Sequence, residues 1–240
     1  MKIFYYIYQL IIFLPLFILL TILTALTTIV GCTIGSSRFW GYYPGKVWSW
    51  LTCYLLLLPI KVEGRDNLDP SASYVFVANH QGAMDIFLIY GFLRRNFKWM
   101  MKKSLKKIPL VGFACQKAGF IFVDRSSRQG LWETIDHARR TLHTGMSLMV
   151  FPEGSRTFDG KMQPFNRGAF LLADELQLPV VPITITGSFK VLPRTKGFGF
   201  AEHNTMRLII HKPIMPQGKG ANNIRAISQL SYEAIEADLK

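Results

Sequence analysis

The first feature of the chain is an unbroken apolar stretch. No charged residue occurs from Ile3 to Ser37, and the apolar body, Ile3 to Val30, is 28 residues long. A signal-peptide core runs to about 7–15 residues, and a bilayer needs about 20. The stretch therefore predicts a membrane helix, with Pro15 and the threonines allowing a kink. Phe39, Trp40, Tyr42 and Tyr43 lie between Arg38 and Lys46, the pattern of an interfacial aromatic and cationic belt. A second apolar stretch, Val47 to Ile60, has 14 residues. It is too short to span upright and suits a re-entrant or interfacial helix. Residues 1–60 thus predict a two-helix membrane anchor, either a hairpin in one leaflet or a spanning helix followed by a surface helix.

The pattern changes at Lys61. Lys61 to Gly64 reads as a short strand. Six apolar runs follow as strands: Tyr74–Ala78, Phe97–Met101, Phe120–Val123, Ser147–Phe151, Val180–Thr186 and Met206–His211. Helical patterns lie between or after them, at Met84–Leu93, Leu110–Lys117, Arg128–His143, Arg167–Leu176 and Ile224–Leu239. That alternation predicts an α/β domain over residues 61–240, a largely parallel sheet flanked by helices. Lys190 to Asn204, rich in glycine and aromatics, reads as a loop lying on the membrane.

Composition agrees with this division. Half of the 240 residues are hydrophobic and mean hydropathy is +0.21, which suits a membrane-bound N-terminus joined to one catalytic-sized domain. Net charge is +13, from 28 Lys and Arg against 15 Asp and Glu, which implies anionic partners. Much of the excess lies in Arg94, Arg95, Lys98, Lys102, Lys103, Lys106 and Lys107, with no acid among them and Trp99, Met100 and Met101 interleaved. This stretch reads as a phosphate or anionic-lipid surface. Nucleic acid competes on charge alone, without a stacking platform, zinc spacing or helix-turn-helix to support it. Cys32, Cys53 and Cys115 have neither metal-ligand nor disulfide spacing, which fits a reducing, cytosolic face.

The chemistry concentrates in polar breaks between apolar runs. His80 and Asp85 lie in the break after the Tyr74–Ala78 strand. Neither a regular helix nor a strand brings residues five apart together, so the chain must turn between them, and Gly82 permits the turn. The aspartate could then orient one imidazole nitrogen and leave the other free as a general base. A capping aspartate beside an incidental histidine is the plain alternative. Two other strands end in polar islands, at Asp124-Arg125 and at Pro152-Glu153-Gly154-Ser155-Arg156-Thr157. In a parallel sheet these ends open at the same edge, where ligands bind. Arg125 and Arg156 suit phosphate because a guanidinium fork binds two oxygens at once, although Arg156 could equally pair with Glu153.

In this order the islands resemble the four sequence blocks of the glycerolipid acyltransferases, in particular the 1-acylglycerol-3-phosphate acyltransferases. Asn79-His80 to Asp85 matches the first block, Gly119 to Arg125 the second, Phe151 to Thr157 the third and Val180-Val181-Pro182-Ile183 the fourth. The resemblance covers roughly Lys61 to Pro213. It implies that His80 takes the proton of the acceptor hydroxyl, that Asp85 holds its tautomer, and that the oxygen attacks an acyl thioester while backbone N–H groups stabilise the oxyanion. It implies that Arg125 and Arg156 hold the acceptor phosphate, that Glu153 and Gly154 shape the turn, and that Lys102 or Lys103 adds charge. Ser155 stands where the family often has threonine and keeps the hydroxyl. Val181 and Pro182 would line the acyl pocket. No metal and no cofactor is implied beyond the co-substrate, an acyl-CoA or acyl-carrier-protein thioester, with acyl phosphate open. The expected partners are lysophosphatidic acid, the donor, anionic membrane lipid and acyl carrier protein, with the catalytic domain on the cytoplasmic face of the membrane. The alternatives are a different acceptor, a hydrolase, or a non-catalytic lipid-binding protein.

Overall fold

The computed structural model describes residues 2–123, 128–142, 146–197 and 199–239. The N-terminal stretch is one long helical rod: α1 (Lys2–Tyr8), a π-helical turn (Gln9–Phe13) and α2 (Leu14–Ile34). It is 33 residues long, and its most apolar 18-residue window has a mean hydropathy of 2.7. Ala25, Thr28 and Gly31 recur at helical spacing on its buried side, while Ile3, Phe4, Leu10, Ile11, Ile18 and Val30 stay exposed. A short turn of helix, α3 (Ser37–Trp40), leads into α4 (Tyr43–Leu55).

The expected pair of anchoring helices is only half met. Among the described residues, one helix is long and apolar enough to cross a membrane. The second, α4, has 13 residues and buries Ser49, Thr52 and Cys53 within the domain. The physical reason lies in its inner face, which is small and polar rather than apolar all round. It packs against α5 (Met84–Phe92), while Val47, Trp50 and Tyr54 remain exposed on the other side.

Among the described residues, seven strands form one sheet in the order β1-β7-β6-β2-β5-β3-β4. They are β1 (Ile60–Glu63), β2 (Val75–Ala78), β3 (Phe97–Lys102), β4 (Ile121–Val123), β5 (Ser147–Val150), β6 (Val180–Thr186) and β7 (Met206–Ile210). All pairings are parallel except β6 with β7. The central strands read as continuous apolar runs because both sheet faces are covered. Phe76, Met149 and Val181 point to one side, towards α4 and α5. Val75, Val77, Leu148, Val150 and Val180 point to the other. There they meet α7 (Arg128–Leu142), α8 (Gly168–Leu176) and α10 (Ala221–Ala237). The described residues also include α6 (Val111–Lys117), beside α2, and the four-residue α9 (Ser188–Val191).

The Met206–His211 strand expected from the sequence is β7, but its antiparallel pairing with β6 was not expected, and α9 was missed. The segment between β6 and β7 is also more ordered than a loose loop. Ala201 is buried, and its backbone exchanges two hydrogen bonds with the side chain of Gln9, at 2.8 and 2.9 Å.

Two members of the basic stretch are structural. Lys98 is buried, and its Nζ donates to the carbonyls of Ser37 (2.9 Å) and Ala118 (2.6 Å). Burial draws its pKa down to about 8. Arg95 donates to the Ala72 carbonyl at 2.7 Å and lies over the Tyr74 ring. Lys102, at the end of β3, is exposed.

Candidate active site

β2, β3, β4, β5 and β6 run parallel, so their carboxyl ends share one edge of the sheet. β2 ends at Ala78, and the next residue ties the edge together. Asn79 is fully buried; its Nδ2 donates to the Ile185 carbonyl (2.9 Å), and its Oδ1 accepts from the Ile185 N–H (2.7 Å). The side chain does there what a strand pairing would do, and the backbone is free to turn.

The turn brings His80 and Asp85 together. His80 Nδ1 lies 2.7 Å from Asp85 Oδ2. The same oxygen accepts the N–H groups of Gln81 (2.7 Å) and Gly82 (2.9 Å). Asp85 sits in the first turn of α5, where the helix dipole favours an anion, and its side chain is fully buried. With an ionised carboxylate as acceptor, Nδ1 carries the proton and Nε2 keeps its lone pair. The imidazole, 13% exposed, stacks on Phe151 with ring centroids 3.9 Å apart and planes within 8°. Phe151 in turn stacks on Trp99. The ring is therefore fixed on one face and at one nitrogen.

Gly82 matters for a different reason from the expected one. Its φ is not left-handed. A Cβ there would lie 2.8 Å from the Ser188 carbonyl and 2.9 Å from that of Leu192. The position needs glycine because another backbone crosses it closely.

The β5 end supplies the second half of the corner. Gly154, at φ 79°, closes a turn with its N–H on the Phe151 carbonyl (3.0 Å). Glu153 is turned inward. Its Oε1 accepts the His80 N–H (2.6 Å) and its Oε2 accepts that of Gln163 (2.7 Å). Burial pushes this carboxyl up to about 7, with the charge of Asp85 in the same direction and the two backbone donors opposing. Glu153 thus acts as a brace on the histidine loop and is not the partner of Arg156. The Thr157 N–H donates to the His80 carbonyl at 2.9 Å, which seats Arg156 one residue from the histidine loop. Asn166, absent from the sequence reading, fastens the turn through the carbonyls of Pro152 (2.7 Å) and Glu153 (3.2 Å).

The structure thus gathers His80, Asp85, Glu153, Gly154, Ser155 and Arg156 at one corner. Lys102 ends β3, two strands from β2 on the same edge, about 10 Å away at the usual strand spacing. Lys103 follows it at the start of a short 3-10 turn. Arg125 lies outside the described residues. Val181 and Pro182 are buried in the middle of β6. Val181 belongs to the core on the α5 side, and neither residue touches the histidine corner by hydrogen bond or ring contact. A base with one free nitrogen beside an arginine-bearing turn can deprotonate a hydroxyl on an anionic molecule.

The chain is similar to known proteins in sequence and fold. Residues 59–186 match the profile of the family described as Acyltransferase. The chloroplastic 1-acyl-sn-glycerol-3-phosphate acyltransferase of Arabidopsis thaliana is 34% identical over 178 residues, 74% of this chain and 49% of its own length. The 1-acyl-sn-glycerol-3-phosphate acyltransferase of Saccharomyces cerevisiae is 30% identical over 189 residues, 78% of this chain and 61% of its own. The crystal structure of the 1-acyl-sn-glycerophosphate acyltransferase of Thermotoga maritima superposes with a TM-score of 0.69 at 29% identity, covering 81% of this chain and 76% of that one. The chain spans about half the length of the plant relatives it matches, 49% and 51%. The family match covers more than half of the chain and contains the histidine corner, the Glu153 brace and β6, and on that basis the chain belongs to the acyltransferase family.

Proposed function

We propose that this protein transfers an acyl chain from an acyl thioester to the free hydroxyl of 1-acylglycerol 3-phosphate, giving phosphatidic acid. The observation that carries the reading is the 2.7 Å contact between His80 Nδ1 and Asp85 Oδ2 at the carboxyl edge of the sheet. It leaves Nε2 as the base. Nε2 takes the hydroxyl proton as the oxygen attacks the thioester carbonyl. Collapse of the tetrahedral adduct expels the thiolate, which recovers that proton from the imidazolium. Asp85 holds the tautomer and balances the transient imidazolium charge. Arg156 binds the acceptor phosphate, with Lys102 and Lys103 adding charge from β3. The names of the plant and yeast relatives support this acceptor. No covalent acyl-enzyme is needed: among the described residues, neither Cys115, on α6, nor any serine or threonine hydroxyl is bonded to His80.

The exposed apolar side of the N-terminal rod supports attachment to a membrane, where lysolipid and product reside. We read the mode as monotopic, because the opposite side of the rod contacts α4 and α6 along α2 and the β6–β7 segment near Gln9. A cytoplasmic orientation is in keeping with three free cysteines and the basic surface.

The test is steady-state kinetics of the purified protein with lysophosphatidate and acyl-CoA or acyl-carrier-protein thioesters. His80→Ala should lose about 10²–10⁴-fold in kcat with little change in acceptor KM. A variant that keeps more than about a tenth of wild-type kcat removes the general-base role.

A further inference from the structure

Residues 187–197, which follow β6, cross the histidine corner. Pro193 forms an antiparallel bridge with Gly82, and the Ala83 N–H donates to the Leu192 carbonyl at 3.1 Å. Arg194, the next residue, is therefore carried to the rim of the corner by backbone contacts two residues from His80. Its guanidinium lies 4.1 Å over the ring of Phe158, and its Nη1 donates to the Arg156 carbonyl at 3.3 Å. Stacking engages the face of the guanidinium and leaves N–H groups on its edges for a ligand.

Arg156 approaches from the other side, one residue from the Thr157 N–H that bonds His80. Among the described residues, its guanidinium has no hydrogen-bond or ion-pair partner, and Arg194 has only a neutral carbonyl and a ring. The carboxylates on the same segments are engaged elsewhere. Asp159 accepts from Thr157 Oγ1 (2.9 Å) and the Lys161 N–H (3.0 Å). Glu202 is held by Tyr6 (2.6 Å) and Lys196 (2.9 Å), and Glu153 by two backbone N–H groups. Two arginines on touching loops without an acid between them repel unless an anion joins them.

We propose that Arg194, outside the four sequence blocks, forms with Arg156 a two-guanidinium site for the phosphomonoester of the acceptor, beside His80. The inference deepens the proposed function and rests on its phosphate-bearing acceptor. A phosphomonoester carries three terminal oxygens and close to two charges, enough for two forks at once. A phosphodiester headgroup, with two such oxygens and one charge, satisfies the pair less well. The site therefore favours lysophosphatidate over lysolipids with a substituted phosphate.

Arg194→Gln and Arg194→Lys in the full chain test it. With lysophosphatidate as acceptor, Arg194→Gln should raise acceptor KM about tenfold, while kcat and donor KM stay within about twofold. Arg194→Lys should recover part of the loss, since it restores charge but not the fork. Glycerol 3-phosphate should raise the thermal unfolding midpoint of the wild-type protein, and the rise should shrink in Arg194→Gln. An acceptor KM within about twofold of wild type, an undiminished rise, or no rise in the wild type overturns the site. If the wild-type protein acylates no lysophosphatidate, the proposed reaction falls, and the unfolding measurement still decides whether Arg194 holds a phosphomonoester.

Discussion

Asp85→Asn separates the two roles proposed for the aspartate, because the local hydrogen bonds dictate how the amide must sit. Asp85 Oδ2 accepts three donors, His80 Nδ1 and the N–H groups of Gln81 and Gly82. An asparagine that turned its amide nitrogen to this position would face two backbone N–H groups, donor against donor. The amide oxygen must therefore take the place of Oδ2, and Nδ1 keeps its proton. The variant loses charge and leaves the tautomer intact. At roughly 4 Å and an effective dielectric of about 20, a carboxylate and an imidazolium attract by about 4 kcal/mol. That corresponds to about 10³ in kcat if the imidazolium is fully formed in the transition state. The amide nitrogen would occupy the position of Oδ1, which is buried without a partner. Stability should therefore fall by about 1–3 kcal/mol for the unsatisfied donor. The measurements are kcat and KM for lysophosphatidate with an acyl thioester donor, and thermal unfolding of the same preparation. A folded variant with more than about a tenth of wild-type kcat would refute the charge-balancing role.

Glu153 gives a pH test. Its carboxyl is raised from 4.5 to about 7, so between those values the native state keeps a proton that the unfolded chain has released. Stability should fall as pH rises through that window, and Glu153→Gln should flatten the decline in a series of unfolding midpoints; an unchanged slope counts against the assignment. Lys98→Met leaves the Ser37 and Ala118 carbonyls without their donor and should cost about 1–3 kcal/mol in denaturant unfolding, whereas a neutral effect would mean that Lys98 is dispensable to the fold. The apolar side of the N-terminal rod predicts that the protein stays in the membrane fraction after a high-salt wash, since salt screens charge but not apolar burial; full release would reduce attachment to electrostatics.

The parts of this fold that follow from hydrophobic pattern alone were legible in the sequence. Val75 to Ala78 and Val180 to Ile185 are buried on both faces, and such strands write themselves as apolar runs. The His80–Asp85 pair was legible because polar side chains interrupt such a run where a parallel sheet opens. Features that depend on a distant partner were not. Lys98 looks like one of seven solvated cations until the carbonyls of Ser37 and Ala118, from two other segments, surround it. Glu153 looks like a turn acid, yet it bonds the backbone of a residue 73 positions earlier, and no local periodicity records that. The antiparallel course of β7 depends on where the preceding segment returns to the sheet. Asn79 stood in view within its motif, but its bonding to Ile185 depends on which strand neighbours β2.

That returning segment also joins the site to the N-terminal rod. Gln9 is a buried polar residue in an otherwise apolar helix, and a polar group in such surroundings is costly unless its partners are correct. It finds both partners on Ala201, while Tyr6 donates to Glu202 and stacks on Phe200. A slip of the rod by one residue would rotate Gln9 by about 100° and strand both groups, so the register is fixed. From Ala201 the chain runs back to Arg194 and Pro193, and Pro193 pairs with Gly82 beside His80. The lipid-facing side of the rod and the imidazole are therefore held in one frame by backbone and buried polar contacts. In the proposed reaction, for an acceptor whose acyl chain lies in the lipid, the frame would set the height at which its hydroxyl meets Nε2. In the proposed site, Arg156 and Arg194, seated on the two loops that touch the histidine turn, would set where its phosphate must be at that height.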